Sequence, residues 1–279
     1  MRITRLGRGV DSTGELQPEA VRKTVDTLVE YRRTLDFYGV EKARLVATSA
    51  VRDASNGSEF LEEATLACGI AAELLDGAEE GRLAYLGATS ELGPCDGYNV
   101  VVDIGGGSTE IAVGRNGELD VVSLEIGCVR LTERYLEHDP PSESEVHEAI
   151  DAVRSELERA VSSISHLETL PEGSRLIGLA GTVSTLASME RGLITYEREM
   201  VHHSHLSFRD VVRWRDTLAS ETSSKRAMET GMARGREDVI VGGAIILCEV
   251  MERLGFTSCL VSESDILDGL VISQLPSMA

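Results

Sequence analysis

Aromatic side chains are scarce: one Trp, six Tyr and four Phe make up 4% of 279 residues. The core must therefore be filled by Val, Leu, Ile and Ala, and an apolar fraction of 42% is enough to fill it. Basic charge is also short, since 27 Lys+Arg against 47 Asp+Glu leave a formal net charge of −20. General binders of nucleic acid or of an anionic membrane carry a basic footprint, so neither partner is expected. An anionic substrate remains open, because exposed charges beyond about 8 Å are screened at physiological salt. The five cysteines (Cys68, Cys95, Cys128, Cys248 and Cys259) form no C-x-x-C pair and read as small buried hydrophobes of a reducing compartment. No apolar signal core follows Met1, and the longest apolar run, "VIVGGAIILCEVM", is too short to cross a bilayer. The expectation is a cytoplasmic protein with no membrane partner.

Glycine, by contrast, is abundant and placed. Pro18, the stripe Val21, Val25, Leu28 and Val29, and Gly39 predict a helix over 17–38. Strands over 43–49 and 70–76 alternate with helices from Ser58 to about Gly69 and over 77–92, implying a parallel or mixed sheet with helices on its faces. "GPCDG" at 93–97 reads as the best domain boundary. Strands at 98–104, 108–114 and 119–125, joined by glycine turns, then predict a β-meander. Beyond it come a helix from Ser142 to about Leu167, a strand over 175–180 and a helix from about Val183. Ser207 with Asp210 predicts a helix cap, a long helix covers 236–254, and a final strand and helix follow. The "HHSH" run (His202, His203, His205) has no supporting ligand set and reads as a solvated loop; Trp214 reads as packing.

The most informative stretch is "VVVDIGGGSTEIAVG", residues 100–114. Three consecutive glycines cost roughly 2–3 kcal/mol relative to alanine and exceed what a hairpin needs. A Rossmann loop would have to open a helix, whereas a strand follows here. A plain glycine-rich hairpin is one remaining reading. The other is an anion nest, in which successive backbone N–H groups of Gly105, Gly106 and Gly107 converge on a phosphate. There Ser108 and Thr109 add hydroxyl donors, and Asp103 and Glu110 are placed to hold Mg²⁺ or another hard divalent cation.

Together with "VATSAVRDASN" (46–56), "LLDGAEEGRLAYLGA" (74–88), "LEIGCVRLTERYL" (124–136), "GLAGTVSTLAS" (178–188) and "GREDVIVGGAIIL…LVSESDILDGL" (235–270), this stretch resembles the Ppx/GppA phosphatase family in its short form. The resemblance implies an α/β, two-lobed sugar kinase/Hsp70/actin-like (RNase H-like) fold with a ligand cleft between lobes. It places the first lobe at 1–94, rejoined by the C-terminal helix 264–279, and the second at 95–263. It implies Glu80 as the base that activates water, although carboxylates in a first helical turn are also favoured by the helix dipole. It assigns Asp103 and Glu110 to the metal and Gly105, Gly106, Gly107, Ser108 and Thr109 to a phosphate loop. Arg52, with Ser49 and Asn56 as weaker candidates, would contact substrate, as would Gly181 and Thr182 from a second loop. Gly242 and Gly243 correspond to a nucleotide-approaching pair, or serve close helix packing. The implied activity is release of terminal phosphate from inorganic polyphosphate. Guanosine pentaphosphate (pppGpp) is the alternative substrate, a homodimer the possible assembly, and a non-catalytic sensor or a kinase the competing classes. The family's D-x-G-T-N-S hairpin has no counterpart here. The expectation is that either the true start lies upstream or the chain is naturally truncated, with lower stability and activity than a full-length homologue.

Overall fold

A computed structural model describes residues 2–275, so the last four residues of the expected 264–279 helix lie outside the described part. Two compact units divide at Gly77/Ala78. The expected boundary at 93–97 falls inside the second unit instead, because the helix before it packs on the second unit's sheet.

In the first unit, α1 (Val10–Thr13) and α2 (Pro18–Tyr38) precede β1 (Leu45–Ala47). Then come α3 (Ser49–Asp53), α4 (Gly57–Cys68) and β2 (Ala72–Leu74). Helix α2 starts at Pro18 and ends at Gly39, whose φ of 61° suits glycine at a helix terminus. β1 and β2 form a parallel pair in register Leu45↔Ala72 through Ala47↔Leu74. Val10, Leu16, Val51, Phe60 and Ala64 make this unit's core. β1 is shorter than the 43–49 expected, because Thr48 turns the chain into α3.

The second unit is built on six strands: β3 (Asn99–Ile104), β4 (Thr109–Arg115), β5 (Glu118–Leu124), β6 (Arg175–Leu179), β7 (His205–Ser207) and β8 (Ser258–Val261). Their order is β5-β4-β3-β6-β8-β7. β3, β4 and β5 form the expected antiparallel meander, whereas β6 and β8 continue from β3 in parallel. Its helices are α5 (Gly77–Thr89), α6 (Cys128–Tyr135), α7 (Glu143–Ser163), α8 (Ala180–Glu190), α9 (Arg198–Val201), α10 (Phe208–Ala219), α11 (Ser223–Arg226), α12 (Ile240–Arg253) and α13 (Ile266–Ile272). Strand period 2 assigns the faces. Val100, Val102, Ile104, Ile111 and Val113 enter the main core with residues of α7, α8 and α12. On the opposite face Val101, Ala112, Ile177 and Leu179 pack with Ala84 and Ala88 of α5. Asp103 and Glu110, in phase with Val101 and Ala112, therefore belong to the α5 face.

Glycines let α5 approach. A Cβ at Gly81 would lie 2.4 Å from Val121 Cγ1 and 3.4 Å from Glu110 Cβ, and one at Gly87 only 2.0 Å from the Asp265 carbonyl oxygen. Reciprocally, a Cβ on Gly269 of α13 would lie 2.0 Å from the Leu83 carbonyl oxygen. Gly87→Ala is thus expected to cost about 1–3 kcal/mol in urea denaturation, because backbone must move. Gly93→Ala, with nothing within 4 Å of its Cβ, should stay within about 0.5 kcal/mol of native. Equal effects of the two would refute this packing.

Several local expectations hold and some do not. Ser142 caps α7 in a capping box with Glu145, and the Ser207 side chain accepts from the Asp210 N–H. α12 begins at Ile240 rather than 236, and the "HHSH" run is no solvated loop. His205 opens the short edge strand β7, while His202 and His203 form a half-buried turn whose His203 N–H bonds the Val261 carbonyl at 2.7 Å.

Candidate active site

The parallel strands β3, β6 and β8 end on the same side of the sheet, and the chemistry-bearing residues collect there. In α/β sheets ligands bind outside the carboxyl ends of such strands. Asp103, the last residue but one of β3, sits directly opposite Glu110 of β4. Two carboxylates facing each other across strands are unfavourable unless something positive lies between them. Asp103 has no ion-pair partner among the described residues, and burial together with Glu110, Asp265 and Glu80 pushes its carboxyl up to about 8. Glu110 is 4% exposed and accepts a 2.7 Å bond from the Ser123 hydroxyl.

α5 supplies the third carboxylate and separates the two neighbouring acids. Glu79 pairs with Arg82 at 2.7 Å on the exposed side, one helical turn away. Glu80 turns inward and is only 6% exposed. Its neighbour Gly81 allows the helix to touch Glu110.

Between β3 and β4 runs the glycine loop. Gly105 N–H bonds the Ser108 carbonyl at 3.0 Å, which closes the turn. The carbonyls of Gly105 and Gly106 face the start of α6 and accept from the N–H groups of Cys128, Val129 and Arg130. The N–H groups of Gly106, Gly107 and Ser108 have no acceptor among the described residues. None of the three glycines has a positive φ, so glycine is not required here for left-handed backbone. Around Gly106 a Cβ would meet nothing closer than 3.5 Å. The bare backbone is thus not demanded there by protein contacts, which leaves close approach of a ligand to the N–H groups. Gly127 is different: its Cβ would strike the Gly106 carbonyl carbon at 2.4 Å, so it seats the loop on α6.

One expected donor is corrected, and one expected loop is the start of a helix. The Thr109 hydroxyl is fully buried and donates to the Ile126 carbonyl at 2.7 Å, because Thr109 pairs with Ile104 on the core face. Gly181 and Thr182 lie not in a loop but in the first turn of α8, which follows β6 with no intervening residue. The junction residue Ala180 holds φ +64°, a conformation that L-residues adopt at a cost of roughly 1–2 kcal/mol. Helix N-termini favour anions, and α8 points its own at this end of the sheet. Ser108 remains at the loop, 2% exposed.

One cation was not singled out from the sequence. The Arg236 guanidinium occupies the space over Gly181, 1.7 Å from where a Cβ would lie, and pairs with no carboxylate among the described residues. In the sequence, Arg234 and Arg236 both precede the Gly242–Gly243 helix, and nothing local separates them. The two glycines serve packing: a Cβ on Gly242 would meet the Cys128 carbonyl at 2.8 Å, and one on Gly243 the Thr182 hydroxyl at 2.2 Å.

Arg52, Ser49 and Asn56 belong to the first unit. Arg52, on α3, donates to the Leu75 carbonyl at 2.9 Å. Ser49 opens α3 and is buried. Asn56 is structural, since its side-chain amide bonds both the N–H and the carbonyl of Leu16.

Hard oxygen donors without a basic partner at Asp103 fit a divalent cation of the Mg²⁺ type. The other cluster, Glu91 with His202 and His203, does not fit a metal despite ligand atoms within 4.8 Å of one another. His202 Nδ1 accepts the Glu263 N–H at 3.0 Å, so in the neutral ring Nε2 carries the proton and donates to Glu91 at 2.8 Å. The two rings stack at 3.7 Å, which sets their lone pairs side by side rather than converging.

The six-stranded sheet, with carboxylates and acceptor-free N–H groups at its strand ends, is an α/β fold of the sugar kinase/Hsp70/actin-like (RNase H-like) class. The chain belongs to the Ppx/GppA phosphatase family, whose model matches residues 1–278. Members of that family are phosphoanhydride hydrolases. Exopolyphosphatase 2 of Mycobacterium tuberculosis is 41% identical over 281 residues, covering 98% of this chain and 87% of that protein. The guanosine-5'-triphosphate,3'-diphosphate pyrophosphatase of Photobacterium profundum is 30% identical, over 99% of this chain and 54% of that protein. The crystal structure of the Aquifex aeolicus Ppx/GppA family member matches with a TM-score of 0.81 at 34% identity, covering 98% of this chain and 87% of that one.

Proposed function

We propose that the chain is an exopolyphosphatase-type hydrolase that releases terminal phosphate from inorganic polyphosphate, with a divalent cation of the Mg²⁺ class. The observation that carries this reading is the convergence of the buried Glu80 with Asp103 and Glu110 beside three acceptor-free N–H groups. Phosphoryl transfer needs positioning and charge neutralisation more than covalent chemistry. The N–H groups of Gly106, Gly107 and Ser108 and the Ser108 hydroxyl bind the terminal phosphoryl group. Gly181 and Thr182 offer the first turn of α8 to a neighbouring phosphate, and Arg236 adds a guanidinium fork. Glu80 accepts the proton of the attacking water. Asp103 and Glu110 hold the cation, which supplies positive charge to the phosphate oxygens. In the first unit, Arg52 and Ser49 are further candidates for phosphate contact.

The likeness to the Photobacterium pyrophosphatase favours a second substrate, pppGpp, which presents the same kind of phosphate end to the loop. Phosphate release from long-chain polyphosphate and from pppGpp, each with Mg²⁺ and with EDTA, tests the proposal. Release from polyphosphate that EDTA abolishes is the expected result. Release from pppGpp alone would move the assignment to the alarmone, and release from neither by a folded chain would overturn it. Arg236→Gln is expected to raise KM for polyphosphate about 10–100-fold with little change in Tm, the worth of hydrogen bonds to a charged group. An unchanged KM would remove Arg236 from the substrate.

A further inference from the structure

We infer that Asp265 is a fourth carboxylate of this centre and contributes its charge to the divalent cation held by Asp103 and Glu110; the inference rests on the metal reading above. β8 ends at Val261, and the Ser262 N–H bonds the Gly178 carbonyl at 3.0 Å. The chain therefore leaves the sheet at the same strand ends that carry Asp103 and Gly181.

The segment up to Asp265 is fixed from several sides. The Glu263 N–H donates to His202 Nδ1 at 3.0 Å, and the Ser264 N–H to the Ser262 hydroxyl at 3.1 Å. The Ser262 hydroxyl returns a 2.9 Å bond to the Ser264 carbonyl, and Arg198 donates to the Ser264 hydroxyl at 3.2 Å. Gly87 allows α5 to press against the Asp265 carbonyl. Asp265 is thereby held against the helix that carries Glu80.

An ordinary explanation exists for an acid at this place. Asp265 caps α13: its carboxylate accepts the Leu267 N–H at 2.8 Å, and Asp268 returns a 3.0 Å bond from the Asp265 N–H. Ser or Asn would cap as well and bring no charge. The charge has no basic partner among the described residues. It is half-buried, its charged neighbours are Asp268 and Glu263, and it acts against Asp103. A carboxylate kept where it repels three others serves a cation better than it serves a cap.

Asn at this position separates the two roles, because it retains the cap and removes the charge. Mn²⁺ titration followed by electron paramagnetic resonance should show native binding weakened about 10–100-fold in Asp265→Asn, the range for groups supporting a metal centre. Its Tm should stay near native. Asp265→Ser, a second capping residue, should behave alike, and Asp268→Asn should bind Mn²⁺ as the native chain does. Native-like Mn²⁺ affinity in Asp265→Asn, alongside lost binding in Asp103→Asn, would overturn the role of Asp265 and leave the metal reading intact. A native chain that binds no Mn²⁺ would overturn both.

Discussion

Glu80→Gln should lower phosphate release from polyphosphate by about three orders of magnitude, within the range for loss of a general base. The substitution is isosteric, so it preserves the packing of α5 at Gly81 and leaves the glycine loop untouched. It removes the negative charge and, with it, the ability to accept a proton. Thermal stability should stay level or rise, because Glu80 is one of the charges that press on Asp103. Glu79→Gln is the matched control. It breaks an exposed pair with Arg82, a contact worth about 0–1 kcal/mol, and should change the rate less than twofold. Loss of activity in Glu79→Gln with retention in Glu80→Gln would exchange the roles of the two acids. Equal rates in both would remove this pair from the chemistry. The comparison also bears on the sensor alternative, since a binding protein would hold polyphosphate with or without Glu80 and release no phosphate in either case.

The sequence made the regular parts of this fold legible and hid the close approaches. The meander could be read because strand runs are bounded by glycine turns, and α7 because Val146, Ile150, Val153, Leu157 and Val161 recur at helical spacing; the capping box of Ser142 with Glu145 emerges in the structure. Asp103 and Glu110 could be placed as neighbours because a hairpin pairs residues symmetrically about its loop. Thr109 was misjudged by one step of the same alternation: next to Glu110 on the strand, it faces the core. β7 escaped notice because three residues carry too little periodicity, and histidines in series suggest a loop. Arg236 and Asp265 join the site only through tertiary contacts at Gly181 and Gly87. In the sequence, Asp265 with Asp268 looks like nothing more than a helix cap. The choice between Glu79 and Glu80 came from the family resemblance; the structure adds that one of them is occupied by Arg82.

Stability of the metal-free chain should fall as pH rises from about 5 to 8.5, a slope opposite to that of an ordinary salt-bridged carboxylate. The sign follows from Asp103. Its carboxyl, ordinarily near 3.8, is raised to about 8 in the folded chain. Between those values the folded state holds a proton that the unfolded state has released. Stability then decreases with pH, by up to about 1.4 kcal/mol per pH unit from this group alone, and the contribution is fully lost above about pH 8. Urea denaturation in EDTA at half-unit pH steps measures the slope. Asp103→Asn should flatten it, because a neutral amide relieves the repulsion at every pH, and should leave the variant more stable than the native chain at pH 8.5. Mg²⁺ competes with the proton for the same carboxylate. Its stabilising effect should therefore be small at pH 6, large at pH 8.5 and absent from Asp103→Asn. A flat or rising profile for the metal-free native chain would mean that Asp103 is already ionised there, with its charge balanced by protein groups. The case for a cation at this strand end would then rest on the loop and on Glu110 alone.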